Sequence, residues 1–267
     1  MAGKGIHWLA KIFVVLVVLV AAGFAAYGIW WLRQPRPGHV KDEALLAGRD
    51  ASTFVAADED YFHDMDGGID LTAGAPAADK SALIKGRNTW IVWSAGNDKL
   101  WDTLNYRSAG ALDFVKVLSD HPSLLKIDPN FSRDHRWEYL GLVNDPCFEK
   151  ATGPDPDRWG LWLDKRRPDC KPDPFENEQK YPGVKIGSRG TTVNGKTFPA
   201  GSYYGYETGI VGLRLFPNPD FDDAAAKKWD PERYYTDPSY YNDKKLIRPY
   251  RVGMSCGFCH IGPNPLK

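Results

Sequence analysis

The sequence predicts a mainly α-helical protein with long loops and little β-structure, set behind an N-terminal transmembrane helix. Three observations carry that expectation. Residues Ile12 to Leu32 form a run of 21 residues without a charge, which as a helix spans the roughly 30 Å of a bilayer core. Helical spacing returns at Phe114, Val117 and Leu118, with Leu112 and Val115 alongside. Twenty Pro, ten Trp and thirteen Tyr point to loops held by aromatic clusters rather than to long regular elements.

Residues 1–11 carry Lys4 and Lys11 but no acid and read as a cytoplasmic N-terminus. The apolar run 12–32 follows as a transmembrane anchor. It closes on Trp30 and Trp31, where an interfacial aromatic belt belongs, and is stopped by Arg33, Pro35, Arg36 and Pro37. A cleaved signal peptide, cut among the small residues of Gly23 to Ala26, is the rival reading. The run stays apolar beyond that point, which favours an uncleaved anchor. Basic residues flank both ends, so charge alone does not orient it.

Residues 33–80 read as a linker with an acidic segment, from Asp58 to Asp70. No register of that segment gives the acids and glycine that an EF-hand loop needs, so it reads as a solvated turn. Tyr61 and Phe62 are expected to dock it onto the globular part. That part runs from 81 to 267. Thr89 to Trp93 fits a helix or a strand. Ser108 to His121 reads as a helix ended by Pro122, which puts His121 at a helix C-terminus, where the dipole favours a cation. Residues 145–200 read as surface loops, and Ile210 to Phe216 as a short strand. Asp222 to Trp229 starts a short helix, and Pro231 opens another turn.

Lys and Arg total 34, as do Asp and Glu, which gives no electrostatic case for a nucleic acid partner. No P-loop, Gly-x-Ser-x-Gly or His-Glu-x-x-His pattern occurs. Four cysteines are present. Cys147 and Cys170 stand in proline- and charge-rich sequence without ligand-spaced neighbours, and are expected to form a disulfide in an oxidising compartment.

The other two belong to Cys256-Gly257-Phe258-Cys259-His260, the c-type haem attachment pattern. Residues three and four apart share a helix face. Cys256 and Cys259 can then form thioethers to the two vinyl groups of one porphyrin, while His260 places an imidazole nitrogen on the iron. The second axial ligand decides the chemistry, and its candidates are Met65, Met254, His39, His63, His121 and His135. Met254 is tethered too close to Cys256 to arch over the same haem. A backbone carbonyl of Gly262-Pro263 is expected to accept from His260 Nδ1 and fix its ring. Phe258 and Tyr250 are candidates to pack against the haem.

The motif, with Gly262-Pro263-Asn264 just after it, resembles that of c-type cytochromes. The anchor and long upstream region more closely resemble the large di-haem cytochromes, which include bacterial cytochrome c peroxidase and rubber-oxygenase-like proteins. The resemblance implies a cytochrome c-like periplasmic domain on a single-pass inner-membrane anchor. It also implies haem c as the iron cofactor and electron transfer to a protein partner in the periplasm or membrane. Di-haem cytochromes carry at least two such motifs and this chain carries one, close to Lys267. The chain is therefore expected to be the N-terminal part of a longer protein. If that protein is an enzyme, it is an oxidoreductase of the di-haem peroxidase or oxygenase type. The remaining reading is an anchored binding or scaffold domain in which the motif is incidental.

Overall fold

The computed structural model describes residues 3–33, 43–92, 96–108, 110, 112–127 and 132–261. The chain divides into two units, Met1–Pro37 and Gly38–Lys267. The first is built on one helix, α1 (Gly3–Arg33), whose stretch Lys11–Leu32 is long and apolar enough to cross a membrane. Every side chain from Phe13 to Val20 is more than half exposed. A helix this apolar and this exposed needs lipid, or removal as a signal sequence.

The second unit is organised on an antiparallel sheet of three strands in the order β5 (Tyr206–Glu207), β6 (Leu213–Pro217) and β7 (Tyr250–Met254). Leu215 lies opposite Val252, and Leu213 opposite Met254. Leu213, Leu215, Tyr250 and Val252 join the main apolar core, with Leu118, Leu161, Phe198, Phe221 and Tyr234.

A helix, α4 (Asp98–Arg107), packs on β7, and its buried residues are Asp98, Asp102 and Asn105. These stand at i, i+4 and i+7, one helix face, whereas Leu100 is 54% exposed. The inversion has a charge partner. Arg251, on β7, places Nε 3.4 Å from Asp102, Nη2 2.6 Å from Asp220 and Nη1 3.1 Å from Glu43. Arg248 pairs with Asp102 and, at 3.1 Å, with Asp113. Burial pushes the Asp98 carboxyl up from its ordinary value, against the pull of Arg251.

Helix accounts for 42% and strand for 12%, so the fold is mixed helix with small sheets. The mainly α expectation holds only in part, because much of the helix is α1 itself. Outside it most of the described helices have six residues or fewer, and several are fixed by aspartate caps. Asp222 caps α8 (Asp223–Lys228), Asp230 caps α9 (Pro231–Thr236) and Asp237 caps α10 (Pro238–Tyr241), each carboxylate accepting from backbone N–H groups of the first turn. Thr89 to Val92 is helical, the end of α3 (Ala77–Val92); Trp93 lies outside the described residues. The loops of 145–200 carry two short hairpins, β1 (Phe148–Glu149) with β2 (Lys165–Arg166), and β3 (Thr192–Val193) with β4 (Lys196–Thr197). Cys147 and Cys170 are joined in a disulfide. By loop-closure entropy it stabilises the fold by about 3 kcal/mol.

The helix expected over Ser108–His121 is not continuous. Gly110 takes φ +86°, and helix resumes only as α5 (Phe114–Val117), capped by Asp113. Pro122 does not end a helix but opens α6 (Pro122–Ile127), because its missing N–H costs nothing at the first helical position. His121 therefore precedes a helix, and its Nδ1 accepts from Ser123 N at 3.1 Å.

The segment read as linker joins the second unit from Glu43 onward, beginning with α2 (Glu43–Leu46). Phe62 is 1% exposed, parallel to Tyr181 at 5.9 Å and edge-on to Tyr204 at 5.6 Å. Acids of the 58–70 stretch meet cations there. Arg87 binds Asp60 and, at 2.6 Å, Asp66, while Lys180 binds Asp64 at 2.6 Å. The docking expected of Tyr61 and Phe62 is what the fold displays.

Candidate functional site

The motif forms a single helical turn, α11 (Cys256–His260), directly after β7. Its residues divide by side. Gly257 is buried and Phe258 half-buried, with the Phe258 ring edge-on to Phe114 at 5.8 Å and Phe114 edge-on to Trp101 at 5.3 Å. Cys256, Cys259 and His260 share the other face. Cys256 is half-buried, Cys259 and His260 are exposed, and both thiols are free. One side of the turn is thus an anchor in the core and the other an accessible face.

Two contacts fix this turn, and neither partner is singled out by sequence. The side-chain amide of Asn97 donates to Met254 O at 2.6 Å and accepts from Met254 N at 3.0 Å. It occupies the place of a neighbouring strand at the end of β7. Gly212, at φ +83°, receives the backbone of α11. A Cβ at that position would fall 2.0 Å from Phe258 N, and Ser255 N donates to Gly212 O at 2.7 Å. Gly96-Asn97 carries a turn signal and Gly212 interrupts an apolar run. Nothing local says that both meet the motif.

His260 lies beside Trp90 of α3, with ring centroids 6.4 Å apart and planes at 48°. Among the described residues no hydrogen bond holds the imidazole. Gly262 and Pro263, expected to fix it, lie outside the described residues, as does His39. The other candidates for a second ligand are engaged elsewhere. His121 is buried, stacked on Tyr235 at 4.3 Å, with Nε2 3.1 Å from Glu232. His135 pairs with Glu138 at 3.0 Å. His63 bonds Asp60 O at 3.2 Å and sits with Met65 in the turn docked by Lys180. Met254 is half-buried against the core, and Tyr250 is in that core too.

Among the described residues no three His, Cys, Asp or Glu side chains group as a metal centre. Covalent haem does not require such a group, because the two thiols bond porphyrin carbons and the motif supplies one iron ligand. The residues present fit that demand. Two accessible free thiols and an imidazole with no hydrogen bond among the described residues stand on one face, next to Trp90, 40% exposed, and Ile261, 41% exposed.

No family model, curated protein or solved structure matches this chain.

Proposed function

We propose that this chain is a membrane-anchored c-type cytochrome that passes electrons outside the cytoplasm. The observation that carries the reading is the division of α11. Cys256, Cys259 and His260 share the accessible face, while Phe258 and Gly257 root the turn in the core. A haem held there would supply a one-electron couple. The chain's own residues do the rest. Cys256 and Cys259 offer thiols for attachment and His260 offers its imidazole. Trp90 supplies apolar surface beside that ring, and Asn97 and Gly212 hold the turn in position.

Two further features support the location. The apolar stretch of α1 suits a single-pass anchor in the inner membrane. The Cys147–Cys170 disulfide suits an oxidising compartment, where haem c is also assembled. The electron partner is then a periplasmic or membrane protein. Openness of the motif face also favours the enzyme reading, in which a second haem unit of a di-haem peroxidase or oxygenase covers it. Peroxide consumption by the haem-loaded chain would speak for that alternative.

The test is covalent attachment. The chain is co-expressed with haem c maturation proteins, and its membrane fraction is denatured and stained for haem. A stained band that disappears in the Cys256→Ala/Cys259→Ala double variant is expected. An unstained band, or one that survives both substitutions, overturns the cytochrome reading.

A further inference from the structure

The second unit holds a cavity of about 460 Å³, within the roughly 300–1,000 Å³ typical of small-molecule sites. It is separate from the haem motif. Asn88 and Val92 of α3 line it, whereas Trp90, about 200° round the helix from either, faces His260. Most of the wall is apolar or aromatic, from Phe54, Val55, Phe62, Tyr203, Tyr204 and Phe216. Phe62 and Phe216 are buried, while Phe54 and Val55 are each 38% exposed. The rim therefore lies at Phe54 and Val55, in the segment read as linker.

Charge is spread unevenly over this wall. The lining acids are Glu43 and Asp98 and the lining cations Lys99 and Arg189. Glu43 is already held, 2.8 Å from Arg189, 3.1 Å from Arg251 and 3.7 Å from Lys99. Asp98 is 3% exposed and 4.0 Å from Arg251. Neither carboxylate is open to a cationic ligand.

The rim differs. The half-buried Arg49 guanidinium lies 5.0 Å from the centre of the Phe54 ring and 5.5 Å from that of Tyr203. Those two rings meet edge to face at 5.6 Å. Burial, then Tyr61, push the Tyr204 hydroxyl up to about 12 against the pull of Arg49, so the same cation is felt at a third lining residue. Yet among the described residues the guanidinium donates only to Thr53, from Nε to Oγ1 at 3.1 Å and from Nη2 to the backbone oxygen at 3.3 Å. No carboxylate among them pairs with it.

A cation without a counter-ion beside the opening of an apolar cavity complements an amphiphile that is anionic at one end only. Thr53 leaves Arg49 Nη1 free to donate, and a guanidinium matches the two oxygens of a carboxylate. We infer that this cavity binds a fatty acid. Its carboxylate pairs with Arg49 at the rim, and its alkyl chain lies inside among Phe54, Phe62, Val92 and Phe216. The site does not depend on haem attachment and stands whether or not the motif is loaded.

The full chain in phosphatidylcholine nanodiscs tests this, with dodecanoic acid carrying a diazirine near its methyl end. After illumination at about pH 8.5, where the free acid is ionised, labelled residues are mapped by mass spectrometry. Labelling is expected at lining residues such as Phe62 and Val92. Unlabelled dodecanoate should displace it at least about tenfold more effectively than dodecanol at equal content in the disc, because only the acid pairs with Arg49. Arg49→Gln should abolish that preference and Arg49→Lys should restore part of it, which separates loss of charge from loss of fold. Labelling of the phospholipid in each sample shows that the probe was delivered equally. Labelling confined to residues outside the cavity, equal displacement by dodecanol, a preference that survives Arg49→Gln, or none regained in Arg49→Lys each overturns the proposal.

Discussion

The carboxamide of Asn97 pairs with both backbone groups of Met254, donating at 2.6 Å and accepting at 3.0 Å across 157 residues of sequence. Met254 ends β7 and the motif helix begins two residues later. A side chain thus does for the strand end what a neighbouring strand would do. Asn97→Ala leaves a half-buried N–H and C=O unmet, at a cost of about 1–3 kcal/mol. It should lower the thermal midpoint and reduce the haem-stained fraction after co-expression. An unchanged midpoint would show that the pair does not secure the strand.

Gly212 offers a sharper contrast. At φ +83°, with Phe258 N 2.0 Å from where a Cβ would lie, Gly212→Ala needs both a strained backbone and displacement of α11. Gly195 has a similar φ of +77° but nothing within 4 Å. Gly195→Ala should cost only about 1–2 kcal/mol. Gly212→Ala should cost at least about 2 kcal/mol more by chemical denaturation. Equal losses would mean that the close approach carries no weight.

Arg251 is the centre of the ionic layer between β7 and α4. Its guanidinium faces Glu43, Asp98, Asp102 and Asp220, so Arg251→Ala takes the shared counter-ion from four acids, of which Asp102 keeps Arg248 and Glu43 keeps Arg189. Removing one partner of such a group typically costs about 3–5 kcal/mol. Arg251→Met, which keeps bulk but not charge, should be nearly as damaging. A loss below about 1 kcal/mol in urea titrations would contradict the picture.

Glu207 gives the second unit a dependence on pH. Burial, then the neighbouring Asp173, push its carboxyl up from the ordinary 4.5 to about 7, against Arg166 and Arg214. The folded state therefore holds this proton more tightly than the unfolded one. Stability falls as pH rises from about 4.5 to about 7 and levels off above, where both states are ionised. Discounted for partial exposure, the effect is about 1 kcal/mol. Asp120, pushed up to about 6 mainly by burial, acts in the same direction. Glu207→Gln should flatten the difference in denaturation midpoint between pH 5 and pH 8, and an unaltered difference would exclude Glu207 as its source.

What could be read from sequence was what is local. The 21 uncharged residues of the apolar run, the Asp222 cap and Pro231 each act within a few residues of themselves. So does the Cys256–Cys259–His260 spacing, which one helical turn converts into a shared face. What could not be read depends on partners far along the chain. Asp98, Asp102 and Asn105 mark a solvent-facing stripe by any hydropathy rule, and face inward only because Arg248 and Arg251 lie beneath them. Pro122 was as consistent with ending a helix as with opening one, and the positive φ of Gly110 decided it. His121 changed meaning accordingly, from the end of one helix to the start of the next.

Glu43 and Arg251 touch across 208 residues. The chain is synthesised from its N-terminus, at roughly 5–20 residues per second. Some 10–40 s therefore separate the appearance of the two. Throughout that interval Glu43 has not met Arg251, and Asp102 has neither Arg248 nor Arg251. The motif emerges immediately after Arg251. The interlocking of α2, α4 and β7 and the exposure of Cys256 and Cys259 thus become available at nearly the same moment. Closure of the fold and first presentation of its thiols share one narrow window, so any substitution that hastens or delays closure also changes how long the thiols are presented on a loose chain.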